Sequence, residues 1–232
     1  MIRIVLFDID GTLIHSGGAG IAAFARAFAE EFGAHDGTER MKFAGRTDVS
    51  LVREFFGLHG IEASPANFQR FFEAYVLRLR EIIAHRPGGA CAGVPEFYEA
   101  LRRAPEPPLI GLLTGNIRRG AEIKLGHYGW WDKFAFGAFA DDSENRDEIA
   151  AAALRRGGEI LGRAVHGDEA LVIGDTPLDV RCGRAIGART LAVATGGATL
   201  EDLEACRPDW VVKDLSEAKV DEVLRRNSHQ PG

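Results

Sequence analysis

The sequence has few cysteines, no long hydrophobic run and no excess of basic residues. Its three cysteines are odd in number and show no CxxC spacing, so the sequence suggests neither a disulfide framework nor a zinc site. No segment is apolar enough to span a bilayer, and the N-terminal MIRIVLFDID lacks the apolar region of a signal peptide. A net charge of -6 argues against general affinity for nucleic acid or anionic membranes. We therefore expect a soluble, cytoplasmic protein.

Apolar runs and helical periodicity alternate along most of the 232 residues. Short runs bounded by polar turns predict buried strands at 2–7, 109–113, 170–173, 189–193 and 209–212. Helical periodicity predicts helices that begin at Val94, Arg118, Asp147 and Leu178. Alternating strands and helices predict an α/β fold, a Rossmann-like parallel sheet with helices on both faces.

Residues 18–86 depart from this alternation, because three helical stretches follow one another there without a convincing strand. The simplest interpretation is an all-helical insert after the first strand. Ser16–Gly20 and Arg86–Gly89 are glycine-rich or proline-rich and predict the two connections. We therefore predict a core of residues 1–15 and 88–232, a helical domain of residues 16–87, and a frayed tail NSHQPG.

Polar residues follow the predicted strands directly, where ligands bind in open α/β sheets. Asp8 and Asp10 follow the first strand on the same side of the extended chain, and Gly11 permits a sharp turn. Two carboxylates so placed repel each other unless a cation neutralises them. The alternative interpretation is a simple Asp-Gly turn.

Two further strand ends carry similar signals. Thr114-Gly115-Asn116 precedes a helix whose backbone amides could bind phosphate oxygens, although Thr and Asn are also ordinary helix caps. Asp175 and Asp179 lie four residues apart around another helix start, and would complete an oxygen-rich site suited to Mg²⁺. Helix capping is again the alternative for this pair.

The series of Asp8-x-Asp10-Gly11-Thr12, a strand ending in Thr114, a basic residue, and Gly174-Asp175-x-x-x-Asp179 resembles the four motifs of the haloacid dehalogenase-like hydrolase superfamily, over nearly the whole chain. Among its members, the chain is similar to phosphoglycolate phosphatase-like enzymes, and residues 16–87 resemble their small helical cap.

This resemblance implies a Mg²⁺-dependent phosphatase acting on a small phosphorylated metabolite. Asp8 would be the nucleophile that forms an aspartyl-phosphate, and Asp10 the general acid and base. The magnesium ligands would be Asp8, the Asp10 carbonyl and Asp175, with Asp179 supporting the site. The resemblance assigns phosphate binding to Gly11, Thr12, Thr114, Gly115, Asn116 and Arg146.

The third motif departs from the family pattern, which has a lysine there. No lysine occurs between Phe134 and Val212, and Arg146 is the best substitute. Arginine keeps the charge and can grip phosphate with two donors, although its planar fork needs a different geometry. Taken without the resemblance, an arginine in this acidic segment is typical of a solvated surface charge.

Substrate choice would depend on the predicted loop 43–48, where Arg46 could bind a second anionic group or be only a charge at a helix start. A β-phosphoglucomutase-like phosphotransferase is an open alternative, as is a catalytically weak regulatory module. Haloacid dehalogenases and phosphonoacetaldehyde hydrolases fit poorly, because they have tyrosine or a small residue in place of Asp10. The sequence leaves the oligomeric state open.

Overall fold

A computed structural model describes residues 1–225, and its main feature is a six-stranded parallel sheet. The sheet has the order β5-β4-β1-β6-β7-β8, and β2 and β3 form a separate antiparallel pair. The strands are β1 (Ile4–Phe7), β2 (Ile14–His15), β3 (Gly89–Ala90), β4 (Leu109–Leu113), β5 (Phe136–Ala138), β6 (Ala170–Gly174), β7 (Arg189–Val193) and β8 (Trp210–Val212). The predicted α/β fold with a Rossmann-like parallel sheet is confirmed.

Three helices lie between β2 and β3, and six more accompany the sheet in the described part of the chain. They are α1 (Ala19–Phe32), α2 (Asp48–Leu58), α3 (Pro65–Ile83), α4 (Val94–Arg102), α5 (Arg118–His127), α6 (Arg146–Ile160), α7 (Pro177–Ala185), α8 (Leu200–Ala205) and α9 (Val220–Leu224). Local sequence starts several of them: the Ser64 hydroxyl accepts the Asn67 N–H, and Pro65 occupies the first helical position of α3. Within residues 1–225, no helix is both long and apolar enough to cross a membrane.

The sheet is buried on both faces, as the continuous apolar strands predicted. Along β1, Val5 and Phe7 pack in one cluster with residues of α4, whereas Ile4 and Leu6 pack in another with residues of α6. All four side chains are fully buried. This double coverage explains why β1 has no polar side chain before Asp8.

Helices α1, α2 and α3 share an aromatic cluster of their own. Phe28 stacks on Phe55 with ring centroids 3.6 Å apart, and Phe24 lies edge-on to Phe71 at 4.7 Å. The two connections to these helices run side by side, since a side chain on Gly17 would collide with the Pro87 carbonyl oxygen. The predicted absence of a strand from 18–86 is confirmed, while the domain division at 16–87 stays a prediction.

The sequence predicted the three-residue strand β8 but missed the other short elements. Strands β2, β3 and β5 have only two or three residues, and helices α8 and α9 have only five or six. Elements this short show little hydrophobic periodicity. The predicted tail NSHQPG lies outside the described residues. The strand order nevertheless places β1 between β4 and β6, so the residues that follow these three strands converge at one edge.

Candidate active site

Asp8 and Asp10 extend from the end of β1 into a cavity of about 470 Å³ between the sheet and the inserted helices. The Asp8 N–H continues the sheet by donating to the Ile173 carbonyl at 2.9 Å, which fixes the start of the turn. Gly11 follows with φ of 83°, and a Cβ there would lie 2.6 Å from Asp175 Oδ2. Glycine is therefore required both by the backbone conformation and by the close approach of a carboxylate.

Three buried carboxylates, those of Asp8, Asp175 and Asp179, form an acidic cluster. Each offers an oxygen within 4.8 Å of the others. Burial raises the pKa of Asp8 to about 6, helped by its acidic neighbours and opposed by Arg146. Burial, together with Asp179 and Asp8, raises the pKa of Asp175 to about 8. The cluster thus favours a bound cation.

Arg146 is the cation in contact with this cluster. It begins α6, is buried, and its Nη2 donates to Asp8 Oδ1 at 2.9 Å and to Asp179 Oδ1 at 2.5 Å. Its Nη1 donates to the Gly45 carbonyl at 3.0 Å, in the loop before α2. Although burial opposes the charge, Asp179 and Asp8 raise the pKa of Arg146 well above its ordinary value. Arg146, which the sequence analysis selected in place of the family's lysine, therefore lies buried next to Asp8 and not on the surface.

Asp179 and Thr12 support the cluster from behind. Asp179 Oδ2 accepts the Thr176 N–H at 3.0 Å and the Thr176 hydroxyl at 2.6 Å, so hydrogen bonds engage both of its oxygens. Thr12 is fully buried and donates its hydroxyl to Asp175 Oδ1 at 3.0 Å. The structure thus places the Thr12 hydroxyl on a carboxylate, although sequence reasoning had assigned it to phosphate.

Asp10 lies on the other side of Asp8 and contacts a second cation. Its Oδ2 accepts hydrogen bonds from Lys124 Nζ at 2.6 Å and from Asn116 Nδ2 at 2.9 Å. The Ser16 hydroxyl lies 3.5 Å from Oδ1. Burial alone would raise the pKa of Asp10, but the charge and hydrogen bond of Lys124, with hydrogen bonds from Asn116 and Ser16, lower it below its ordinary value. Asp10 is therefore held as a carboxylate.

Thr114, Gly115 and Asn116 form the turn between β4 and α5. Thr114 Oγ1 accepts Asn116 Nδ2 at 2.8 Å and the Asn116 backbone N–H at 3.3 Å. A Cβ on Gly115 would lie 2.1 Å from the Arg46 carbonyl oxygen, so the loop before α2 rests directly on this turn. All three residues line the cavity beside Asp8.

The loop before α2 closes the cavity from the side of the inserted helices. The Arg46 guanidinium pairs with Glu54 and donates to the Ser50 carbonyl at 3.3 Å. Arg46 lines the cavity, but binding a second anionic group of a substrate would require it to leave these partners. Asp48 follows two residues later and its Oδ2 accepts the Ile117 N–H at 2.8 Å, at the start of α5.

Sequence reasoning missed Lys124, and it included Asp48 only as a helix-capping residue of the loop 43–48. Lys124 is 4% exposed, in a helix whose other buried residues are Gly120, Ala121 and Leu125. A lysine on the apolar face of a helix, beside small residues, was the available signal. Asp48 gave no such signal, because an acidic residue in the first turn of a helix is common.

Comparison with known proteins supplies the family context. The chain matches the family described as haloacid dehalogenase-like hydrolase over residues 5–193. It is 30% identical to a phosphoglycolate phosphatase of Chromobacterium violaceum, covering 93% of this chain and 94% of that protein. It is 23% identical to the pyrophosphatase PpaX of Oceanobacillus iheyensis, covering 93% and 94%. The crystal structure of CbbY from Rhodobacter sphaeroides in complex with phosphate has a similar fold, with a TM-score of 0.71 at 18% identity, covering 94% of this chain and 96% of that one.

Proposed function

Because the chain belongs to the haloacid dehalogenase-like hydrolase family, we propose that it is a phosphatase that cleaves a small phosphomonoester through an aspartyl-phosphate on Asp8. The observation that carries this proposal is the position of Asp8, buried at the end of β1, lining the cavity and paired with Arg146. With a pKa of about 6, Asp8 is mostly ionised at neutral pH, as a nucleophile must be. The name of the phosphoglycolate phosphatase relative supports a phosphomonoester as substrate, and the pyrophosphatase name of the other supports hydrolysis of a bond to phosphorus more generally.

The first step transfers the phosphoryl group to the protein. A carboxylate oxygen of Asp8 forms a bond to phosphorus while the bond between phosphorus and the ester oxygen breaks. Asp10 donates its proton to that leaving oxygen, which departs as an alcohol. The pKa of Asp10 is low in the ligand-free chain, and a phosphoryl dianion at the site would raise it by repulsion, which suits an acid in this step.

The second step regenerates Asp8. Asp10, now a carboxylate held by Lys124 and Asn116, accepts a proton from water. The water oxygen bonds to phosphorus as the bond between phosphorus and the Asp8 oxygen breaks, so that inorganic phosphate and the Asp8 carboxylate result. Asp10 ends the cycle protonated and ready for another leaving group.

The residues present fit a magnesium ion. The carboxylates of Asp8 and Asp175 offer buried oxygen donors, which Mg²⁺ prefers, and burial together with the neighbouring Asp179 and Asp8 carboxylates raises the pKa of Asp175 to about 8. We propose that the Asp8 and Asp175 carboxylates and the Asp10 backbone carbonyl would be the magnesium ligands, and that Asp179 supports the site. When bound, the metal would supply positive charge against the phosphoryl oxygens.

Donor groups of the protein would neutralise the negative charge of the phosphoryl group that a metal ion leaves uncompensated. We propose that Thr114, the backbone amides of Gly115 and Asn116, and Arg146 bind its oxygens, since all four line the cavity around Asp8. Gly11 has no Cβ, which allows the Asp175 carboxylate to approach the turn after β1 closely. Thr12, whose hydroxyl holds Asp175, contributes by orienting that carboxylate. Residues 16–87 act in this proposal as a cap that limits access of water.

Substitution of the nucleophile tests the proposal. Asp8→Asn keeps the size of the side chain and an acceptor for Arg146, but the amide is a poor nucleophile. We expect Mg²⁺-dependent phosphate release from an aryl phosphate to vanish, with an unchanged circular dichroism spectrum. Asp132→Asn, the same change at an exposed position, is the matched control and should behave as the unmodified protein.

Two results would revise the proposal. Retained turnover in Asp8→Asn would show that Asp8 is not the nucleophile. Formation of an isomeric hexose phosphate, in place of inorganic phosphate, would indicate the phosphotransferase alternative. A panel of phosphorylated metabolites, assayed for released phosphate with and without Mg²⁺, identifies the substrate.

A further inference from the structure

Lys124 is a buried cation for which the reaction described above gives no role of its own. It reaches the site from α5, and its Nζ donates to Asp10 Oδ2 and to Asn116 Oδ1, both at 2.6 Å. Burying an ammonium group costs free energy unless it is paired. These two contacts satisfy two of its three N–H groups.

Asn116 links Lys124 to the rest of the site. Its amide oxygen accepts from Lys124, so its Nδ2 is directed to Asp10 Oδ2 at 2.9 Å and to Thr114 Oγ1 at 2.8 Å. Reversing the amide would set an N–H against the ammonium, which has no acceptor. The three side chains therefore fix one another, and the orientation of Asn116 follows from the charge of Lys124.

Both of these donors act on the same oxygen of Asp10. Oδ2 accepts Lys124 and Asn116 at hydrogen-bonding distance, whereas Oδ1 has, within residues 1–225, only the long 3.5 Å contact with the Ser16 hydroxyl. The Asp10 carboxylate is thereby held in one rotamer. Oδ1 remains as the oxygen able to give a proton to a leaving group or take one from water.

We propose that Lys124 is a positioning residue that clamps Asp10 Oδ2 and so presents Oδ1 to the leaving oxygen. This inference rests on the proposed function, because it assigns Lys124 to the proton-transfer half of that reaction. Lys124 acts through Asp10, while Arg146 acts on the side of Asp8.

The inserted helices leave space for the clamp. Gly20 in α1 faces the ammonium, and a Cβ there would lie 3.2 Å from Lys124 Nζ, closer than ordinary contact. Gly20→Ala should therefore displace the ammonium by a few tenths of an ångström without removing it. Gly57→Ala is the matched control, because it makes the same change inside a helix where a Cβ meets nothing within 4 Å.

A series of phosphate esters with leaving groups of different acidity tests the proposal. Alkyl phosphates need a proton on the leaving oxygen, whereas dinitrophenyl phosphate does not. If Lys124 positions the acid, Lys124→Met lowers kcat for alkyl phosphates on the order of 100-fold, the usual contribution of a general acid, and changes dinitrophenyl phosphate hydrolysis little. KM stays nearly constant, and Gly20→Ala shows the same dependence in weaker form.

The double variant sharpens the test. Because Lys124 acts through Asp10, Lys124→Met combined with Asp10→Asn should lose no more activity than Asp10→Asn alone. Lys133→Met, which removes an exposed lysine that does not line the cavity, controls for the chemical change. If Lys124→Met does not fold, Lys124→Gln and Gly20→Ala provide the same comparison.

Other outcomes overturn the inference. An equal loss of kcat for every leaving group, or additive losses in the double variant, would show that Lys124 does not act through Asp10, and a raised KM alone would make it a substrate-binding group. These failures differ from failure of the proposed function, in which the unmodified protein would release no phosphate, or Asp8→Asn would stay active.

Discussion

Arg146 shows how one side chain can serve the nucleophile and its surroundings together. The guanidinium contacts Asp8 and Asp179 through Nη2 and the Gly45 carbonyl through Nη1. A lysine has a single nitrogen and could not span these three acceptors in the same way. The arginine therefore supplies charge to the site and also contacts the loop that covers it.

Arg146→Ala should lower kcat/KM on the order of 100-fold or more, because a fixed donor to the transition state is lost. Arg146→Lys should recover part of the loss by restoring the charge. Arg155→Ala, an exposed arginine of the same helix, is the control for steady-state kinetics. A near-normal rate for Arg146→Ala would assign the phosphate-binding cation to another residue.

Sequence predicted some of these residues and missed others for physical reasons. Asp8 and Asp175 follow apolar strands directly, and parallel strands bring their ends to one edge, so local sequence was sufficient. Arg146 was identified by resemblance alone, since its neighbours in sequence are acidic. Lys124 acquires its position from the packing of α5, far along the chain from Asp10, so the local sequence could indicate its burial but not its partner.

At the scale of elements, the turn between β4 and α5 meets the loop before α2 without space for a side chain. A Cβ on Gly115 would lie 2.1 Å from the Arg46 carbonyl oxygen and 3.0 Å from Thr47 Cα. We predict that Gly115→Ala separates the loop from the turn and lowers kcat/KM while the fold persists. Gly126→Ala, in α5 with open space around it, should leave the kinetics unchanged. Equal activity of the two variants would contradict the proposed closure.

Asp48 connects α2 to α5 by accepting the Ile117 N–H, and its ionisation makes the stability of the fold depend on pH. Burial raises its pKa from 3.8 to about 6, so the folded chain favours the protonated form. Below pH 3.8 the group is neutral folded or unfolded and contributes nothing. Above pH 6 its ionised form destabilises the fold by about 3 kcal/mol.

Asp48→Asn removes this ionisation and keeps an acceptor for the Ile117 N–H. We predict that the free energy of unfolding of the unmodified protein falls, relative to the variant, by about 2 kcal/mol as pH rises from 4 to 7. Urea unfolding at pH 4, 5.5 and 7 measures the difference. A difference that is constant across this range would show that Asp48 titrates normally in the folded chain.

The length of a strand influences whether it can be predicted from the sequence. Strands β1, β4, β6 and β7 are four or five residues long and strongly apolar, and the sequence predicted each of them. Strand β5 has three residues, Phe136–Ala138, and is a strand because β4 offers an edge for it. Such an element depends on pairing with a distant segment, for which hydrophobic periodicity carries little signal.

For the whole molecule, the balance of buried charge connects stability to function. The cavity and the cluster behind it contain more carboxylates than cations: Asp8, Asp10, Asp48, Asp175 and Asp179 against Arg46, Lys124 and Arg146. Burial, with repulsion from the neighbouring carboxylates, raises the pKa values of Asp8 and Asp175, so their ionised forms cost free energy in the folded chain. A fold that keeps such a cluster is stabilised by any cation that binds it.

We therefore predict that Mg²⁺ raises the melting temperature, by an increment equivalent to about 2.7 kcal/mol at a concentration 100 times its Kd. The increment should be larger at pH 8 than at pH 5, because Asp8 loses its proton over this range and Asp175 begins to lose its own, so that the carboxylates of the metal-free cluster repel one another. Asp175→Asn should abolish the increment and stabilise the metal-free protein at pH 8, whereas Asp132→Asn should do neither. Differential scanning calorimetry with and without a chelator measures both effects. Since melting requires no turnover, an unchanged increment in Asp175→Asn would place the magnesium away from this cluster whatever the substrate proves to be.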